Sequence, residues 1–135
     1  MLVQLVDDTK NVVVAAIKGT DDILTALRNT VMHQVSGLAK DAVSMTGSLA
    51  DIAEGSVDAA VEVGADVGKA AVSVVEGSME AARSMGVSGA EAAEAALTGV
   101  LRAANKVGGE TLNTVKSTLS GAASLPTEVV KKVLG

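Results

Sequence analysis

Closely spaced carboxylates are the residues of this sequence with the clearest potential for chemistry. Two carboxylates can act as general acid and general base when their surroundings separate their pKa values. Examples of such pairs in the sequence are Asp7/Asp8, Asp21/Asp22 and Glu91/Glu94. No pair is accompanied by a histidine at metal-ligand spacing or by a serine with a base, and carboxylates on helices commonly contact water or a helix N-terminus. We therefore predict no catalytic residues and no enzymatic activity.

Metal and cofactor sites are excluded on similar grounds. The sequence has no cysteine and one histidine, His33, so thiolate sites, imidazole-based metal sites and serine–histidine triads are ruled out. The segment Gly64-x-x-x-Gly68-Lys69 has the glycines and the lysine of a phosphate-binding loop, but it is one residue too short and no predicted strand precedes it. We expect no metal, no cofactor and no small-molecule substrate.

The elements that carry these residues are built from small aliphatic side chains. Hydrophobic residues make up 48% of the 135 positions, and none is aromatic or a cysteine. Because valine and alanine contribute less on burial than aromatic residues do, we expect partners, further copies or an apolar surface to complete the burial. The longest apolar run, residues 12–17, is far shorter than the ~20 residues of a membrane-spanning helix.

The N-terminal segment MLVQLVDD lacks the basic region of a secretory signal. We predict a cytoplasmic protein, acting at a membrane or granule surface if its apolar faces bind lipid.

Charge is distributed unevenly along the chain. Residues 41–100 carry ten acidic and two basic side chains, whereas residues 101–135 carry five basic and two acidic ones. The acidic middle and the absence of a basic cluster argue against nucleic-acid binding. The asymmetry is interpreted either as a solvated face or as head-to-tail attraction between the middle of one copy and the C-terminal part of another.

An internal repeat organises the sequence. The segments GSVDAAVEVG (55–64), GSMEAARSMG (77–86) and GVLRAANKVG (99–108) begin 22 residues apart, and polar residues recur every 11 positions. Eleven residues in three turns keep one polar face in phase along an α-helix. The sequence therefore predicts an all-α fold of amphipathic helices. The apolar face of one helix is predicted to comprise Val67, Ala71, Val74, Val75, Met79, Ala82 and Met85.

Capping residues predict where the helices begin and end. Asp66, Gly86 and the capping box Ser88-Gly-Ala-Glu91 are helix caps in this interpretation. They predict one single all-helical unit over 1–135, with N-terminal helices in 1–40, acidic repeats in 41–109 and basic helices in 110–135. The predicted helices cover about 2–18, 21–41, 44–63, 66–85, 88–107 and 110–123, with a short last helix from Pro126. They form antiparallel hairpins, or alternatively one longer kinked helix.

Three glycines fall in the middle of predicted helices, where glycine costs ~1 kcal/mol relative to alanine. Each is followed four residues later by alanine, which gives the pairs Gly55/Ala59, Gly77/Ala81 and Gly99/Ala103. Such small-xxx-small patches allow helix backbones to approach closely. They are interpreted either as drift in a biased composition or as a packing and assembly seam, where helices of the same or another copy meet.

The segment GSVDAAVEVGADVGKAAVSVVEGS at 55–78 resembles the 11-residue amphipathic repeats of synuclein and perilipin proteins, and the alanine-rich character is similar to that of bacterial phasins. The resemblance covers about residues 35–122 and concerns composition and period. It implies a protein that lies on a lipid or storage-granule surface. The acidic polar stripe and the lack of aromatic anchors depart from that pattern and favour a neutral granule or a self-assembled core over an anionic membrane.

Together these features predict a non-enzymatic structural protein that self-assembles through Ala/Gly/Val helix faces into a homo-oligomer or filament. The expected partners are copies of the same chain. The alternative prediction is a lipid-membrane or storage-granule surface-binding helical protein.

Overall fold

The computed structural model describes residues 2–38 and 42–134. Helices and their connections account for these ranges, which contain no strand, so the all-α prediction is confirmed. None of the described helices combines the length and apolar character needed to cross a membrane. The helices are α1 (Leu2–Ile17), α2 (Ile23–Ser36), α3 (Ala42–Glu62), α4 (Val67–Ser84), α5 (Gly89–Val107), α6 (Gly109–Ser120) and α7 (Thr127–Leu134).

Glycines with positive φ end α3 and α4. Gly64 and Gly86 have φ of +79° and +80°, a conformation in which glycine alone carries no Cβ penalty. After Gly86, the N–H of Val87 donates to the carbonyl of Ala82 at 2.8 Å, which is the Schellman arrangement. These two turns interrupt the helical path, so the chain forms separate helices and not one long kinked helix.

Side-chain caps begin α2, α4 and α5. The carboxylates of Asp22 and Asp66 accept from the backbone N–H groups of Thr25 and Lys69, as N-cap residues do. Ser88 Oγ accepts from the N–H of Glu91 at 3.4 Å. Within the described residues the Glu91 carboxylate makes no return bond to Ser88, so only half of the capping box is present.

The prediction for the second helix was too long. It placed the end at residue 41, but α2 ends at Ser36 because the N–H of Gly37 caps the last carbonyls; residues 39–41 lie outside the described part. The sixth helix likewise ends at Ser120, before Gly121, and not at 123. The other predicted ends lie within two residues of the observed ones.

The helices pack in two rows. Every helix from α3 to α7 contacts the helix two positions before it in the chain, which places α1, α3, α5 and α7 in one row and α2, α4 and α6 in the other. Contacts of α4 and α6 with α5 join the rows. The apolar core between and along them is mostly alanine and valine, with a few larger side chains: Ile17, Leu27, Leu49, Ile52, Leu97 and Leu119.

A single chain thus encloses an apolar core. Within residues 5–38 and 47–134, for which burial is described, the exposed large apolar side chains are Val12 and Val107, at 46% and 49%. Small side chains let the helices come close enough to cover one another in the core. The expectation that partners, further copies or an apolar surface complete the burial stays a prediction.

Candidate functional site

The repeated glycines lie where helices of the same row cross. A Cβ added to Gly99 of α5 would overlap the carbonyl oxygen of Ala50 in α3 and lie 2.9 Å from Ala53 Cβ. The backbones of α3 and α5 therefore meet without an intervening side chain. This is the close approach for which small residues are used in helix pairs.

The other two glycines make the same kind of contact with different helices. A Cβ at Gly55 of α3 would overlap the carbonyl oxygen of Val6 in α1, and one at Gly77 of α4 would lie 2.8 Å from the carbonyl oxygen of Arg28 in α2. In all three cases the carbonyl belongs to the residue 49 positions earlier. The alanines predicted to complete the seam are buried too: Ala59, Ala81 and Ala103. The structure therefore places the predicted packing residues between helices of one chain.

Gly68 makes a close approach that the sequence reasoning missed. A Cβ at this position in α4 would lie 2.6 Å from Thr118 Oγ1 in α6. The sequence interpretation considered Gly68 only as part of a phosphate loop, although a buried glycine in a helix is itself a signal of close packing. At this point the α4 backbone lies directly against the side chain of Thr118.

The predicted apolar face of α4 is turned toward the core. Its five central members, Ala71, Val74, Val75, Met79 and Ala82, are buried. Val67 and Met85, at the two ends, are half-buried and pack against the core. The five central members of this face are therefore not available on the surface of the folded chain.

A ladder of ion pairs joins α3 to α5, and sequence reasoning did not find it. Arg102 Nη1 lies 3.4 Å from Asp51 Oδ1 and from Glu54 Oε1. Lys106 Nζ lies 2.9 Å from Glu54 Oε2 and 2.6 Å from Asp58 Oδ2. Three acidic residues of the middle segment therefore pair with basic residues of the same chain, which engages charges that the sequence left open as a solvated face or as attraction between copies.

Asp51 is the most buried member of the ladder. Its side chain is 1% exposed, and Oδ2 has no hydrogen-bond partner. Burial raises the pKa of Asp51, Glu54 raises it further, and the Arg102 charge opposes the shift. Partial burial lowers the pKa of Lys106, but the hydrogen bonds that its ammonium group donates to Asp58 and Glu54 outweigh that effect and raise the pKa overall.

The carboxylate pairs considered for catalysis serve other purposes or face water. Asp22 caps α2, and hydrogen bonds from the side chain and backbone of Thr25 lower its pKa. Glu94 pairs with Lys132 of α7 at 3.3 Å. The remaining carboxylates of these pairs are exposed, as is the histidine of α2: Asp7, Asp8, Asp21, Glu91 and His33. Residues 2–38 and 42–134 contain no cluster of three or more side chains suited to a metal ion.

One helix surface carries small apolar residues yet lies in solvent. On α1, Asp8, Asn11, Val12, Ala15 and Ala16 are exposed, and they follow the i, i+3, i+4 spacing of one helix face. We refer to these five residues as the α1 outer face. The opposite side of α1 carries the buried Val6, Val13 and Ile17 and packs against α3.

No protein-family model matches the sequence, and neither curated proteins nor solved structures give a match.

Proposed function

We propose that the protein is a non-enzymatic structural protein that associates with copies of itself through the α1 outer face. The observation that carries the proposal is the position of this face, which lies exposed at the α1 end of the row formed by α1, α3, α5 and α7. In that row, the same face of each inner helix is covered by its neighbour.

Matching faces of α1, α3 and α5 can be compared position by position, because two 22-residue repeats separate each of these helices from the next. Val12, Ala15 and Ala16 correspond to positions 44 and 88 residues later in α3 and α5. Those matching residues are fully buried: Ser56, Ala59, Ala60, Val100, Ala103 and Ala104. Within the chain, α3 uses this face to pack on α1, and α5 uses it to pack on α3. A second copy would supply the helix that the row lacks before α1.

Two α1 outer faces suit each other in an antiparallel arrangement. Such a pair brings Asp8 of each copy toward Lys18 of the other, and both side chains are exposed in the single chain. Asn11 occupies the position at which α3 and α5 have Gly55 and Gly99, so the helices cannot approach as closely as inside the chain. The resulting contact is a reversible, two-fold symmetric dimer.

Sedimentation across a wide range of protein concentration tests this proposal. We expect the wild type to dimerise, and Val12→Glu to weaken dimerisation by at least about tenfold because it would bury a charge in an apolar contact. The matched control is Val107→Glu, since Val107 is equally exposed but lies at the end of α5. A wild type that stays monomeric at every concentration, or equal effects of the two variants, would refute the proposal.

Assembly into filaments, or binding to a lipid surface, makes further demands. A filament needs a second contact surface, since a two-fold contact closes on itself. Lipid binding through the apolar face of α4 needs the bundle to open, because that face is buried. Negative-stain imaging distinguishes fibres from dimers. Circular dichroism with and without neutral-lipid droplets detects helices that rearrange on lipid.

A further inference from the structure

A cavity of about 360 Å³ lies between α6, the connection that follows it, and α7. Apolar side chains form the larger part of its lining, with Leu119 from α6, Leu125 from the connection, and Val130 and Leu134 from α7, while Ser120 and Thr127 add hydroxyl groups. This volume is near the lower end of the ~300–1,000 Å³ typical of small-molecule sites. The space suits one narrow apolar group.

Two lysine side chains line this cavity. Lys116 of α6 and Lys131 of α7 both line it, and no acidic side chain does so. Neither lysine has a carboxylate within 4.0 Å in the part of the chain that the structure describes, whereas Lys106 and Lys132 are paired. An apolar space with two uncompensated ammonium groups is complementary to an apolar tail that ends in an anion.

We propose that this cavity binds a single-chain carboxylate, namely a short to medium-length fatty acid. The alkyl chain lies among the leucine and valine side chains, and the carboxylate is held by Lys116 and Lys131. The site is separate from the α1 outer face, since α6 and α7 contact neither α1 nor α2. Binding is therefore independent of the proposed self-association.

Isothermal titration with straight-chain carboxylates, each kept below its micelle-forming concentration, tests the proposal. Affinity should rise by about fourfold for each added methylene and stop rising once the cavity is full. Alkyl alcohols and alkyl trimethylammonium ions of the same length should bind at least about tenfold more weakly, because they lack the anion. A carboxylate series without length dependence would overturn the proposal.

Charge-reversal variants locate the site. Lys116→Glu with Lys131→Glu should reduce carboxylate affinity by at least about tenfold. The matched control, Lys69→Glu with Arg83→Glu, makes the same change in net charge at exposed basic residues that do not line the cavity and should leave affinity unchanged. Equal losses in the two double variants would show a nonspecific charge effect and refute the assignment.

A spectroscopic readout keeps the test valid if a variant folds poorly. Methyl groups of Leu119, Leu125 and Leu134 should shift in the NMR spectrum when decanoate is added to the wild type, while methyl groups of α1 and α2 should not. Absence of these shifts, or shifts centred on another part of the chain, would overturn the proposal.

Discussion

Replacing Gly99 by alanine should destabilise the protein although alanine is the better helix former. The new Cβ would overlap the carbonyl oxygen of Ala50 and lie 2.9 Å from Ala53 Cβ, compared with 3.4–4 Å for an ordinary contact. Both neighbours belong to α3 and one is backbone, so rotation of a side chain cannot relieve the overlap. The α3 and α5 helices must instead move apart.

Two opposing contributions determine the size of the effect. Overpacking a closely packed contact costs typically 1–3 kcal/mol, and about that much or more is expected here. Helix propensity returns ~1 kcal/mol. Because the helices must separate along a crossing lined by buried alanines, we expect a net loss of about 2 kcal/mol in the free energy of unfolding. This loss corresponds to a Tm lowered by roughly 8 °C for a chain of this size.

Gly47 provides the matched control. It lies in α3, it is exposed, and a Cβ added there would meet nothing within 4 Å. Gly47→Ala should therefore stabilise the protein by about 0.5–1 kcal/mol through helix propensity alone. The same substitution thus has opposite signs at two helical glycines.

Urea unfolding followed by circular dichroism at 222 nm measures both variants, since the protein has no aromatic residue for fluorescence. A Gly99→Ala variant as stable as the wild type would refute the close approach of α3 and α5. A loss of the same size in Gly47→Ala would show that the effect does not come from the helix crossing.

Two further predictions concern single carboxylates. The difference in stability between Asp51→Asn and the wild type should shift in favour of the variant as pH rises from acidic to neutral. Burial raises the pKa of Asp51, so the folded wild type favours the protonated carboxyl, which is present only at low pH. In the wild type, the preference of the folded state for protonated Asp51 contributes fully to stability below the ordinary aspartate pKa. This contribution is lost as pH rises through the raised pKa of Asp51 in the folded state. Urea titrations of both proteins across this pH range check the slope, and a difference independent of pH would contradict it. Asp66→Ala should cost about 1 kcal/mol because it removes the N-cap of α4, whereas Asp21→Ala, which caps no helix, should leave the thermal midpoint unchanged.

The sequence contained enough local information to predict the helices. Amphipathic periodicity, together with Asp66, Gly86 and Ser88, placed most helix ends because caps and positive-φ glycines act on their nearest neighbours. The same reasoning gave close helix approach as one of two interpretations of Gly55, Gly77 and Gly99, with drift in a biased composition as the other. It could not say which helix approaches each glycine, since one small apolar face fits many partners.

The ion-pair ladder shows what was beyond the reach of sequence. Arg102 and Lys106 lie about 50 positions after Asp51, Glu54 and Asp58, and nothing local relates them. They pair because α5 packs on α3 in a particular register. Without that register, an acidic middle and a basic C-terminal part were equally consistent with attraction between different copies.

By itself, then, the sequence determined the helical class, most of the helix ends and the lack of any thiol, because these depend on residue type and near neighbours. Only the tertiary structure decided which apolar faces are used within the chain and which are left over. It turned the face of α4 inward and left the α1 outer face exposed. The physical reason is that burial depends on how all the helices pack together. Alanine and valine faces of similar chemistry are buried where another helix of the row packs on them and exposed where the row ends.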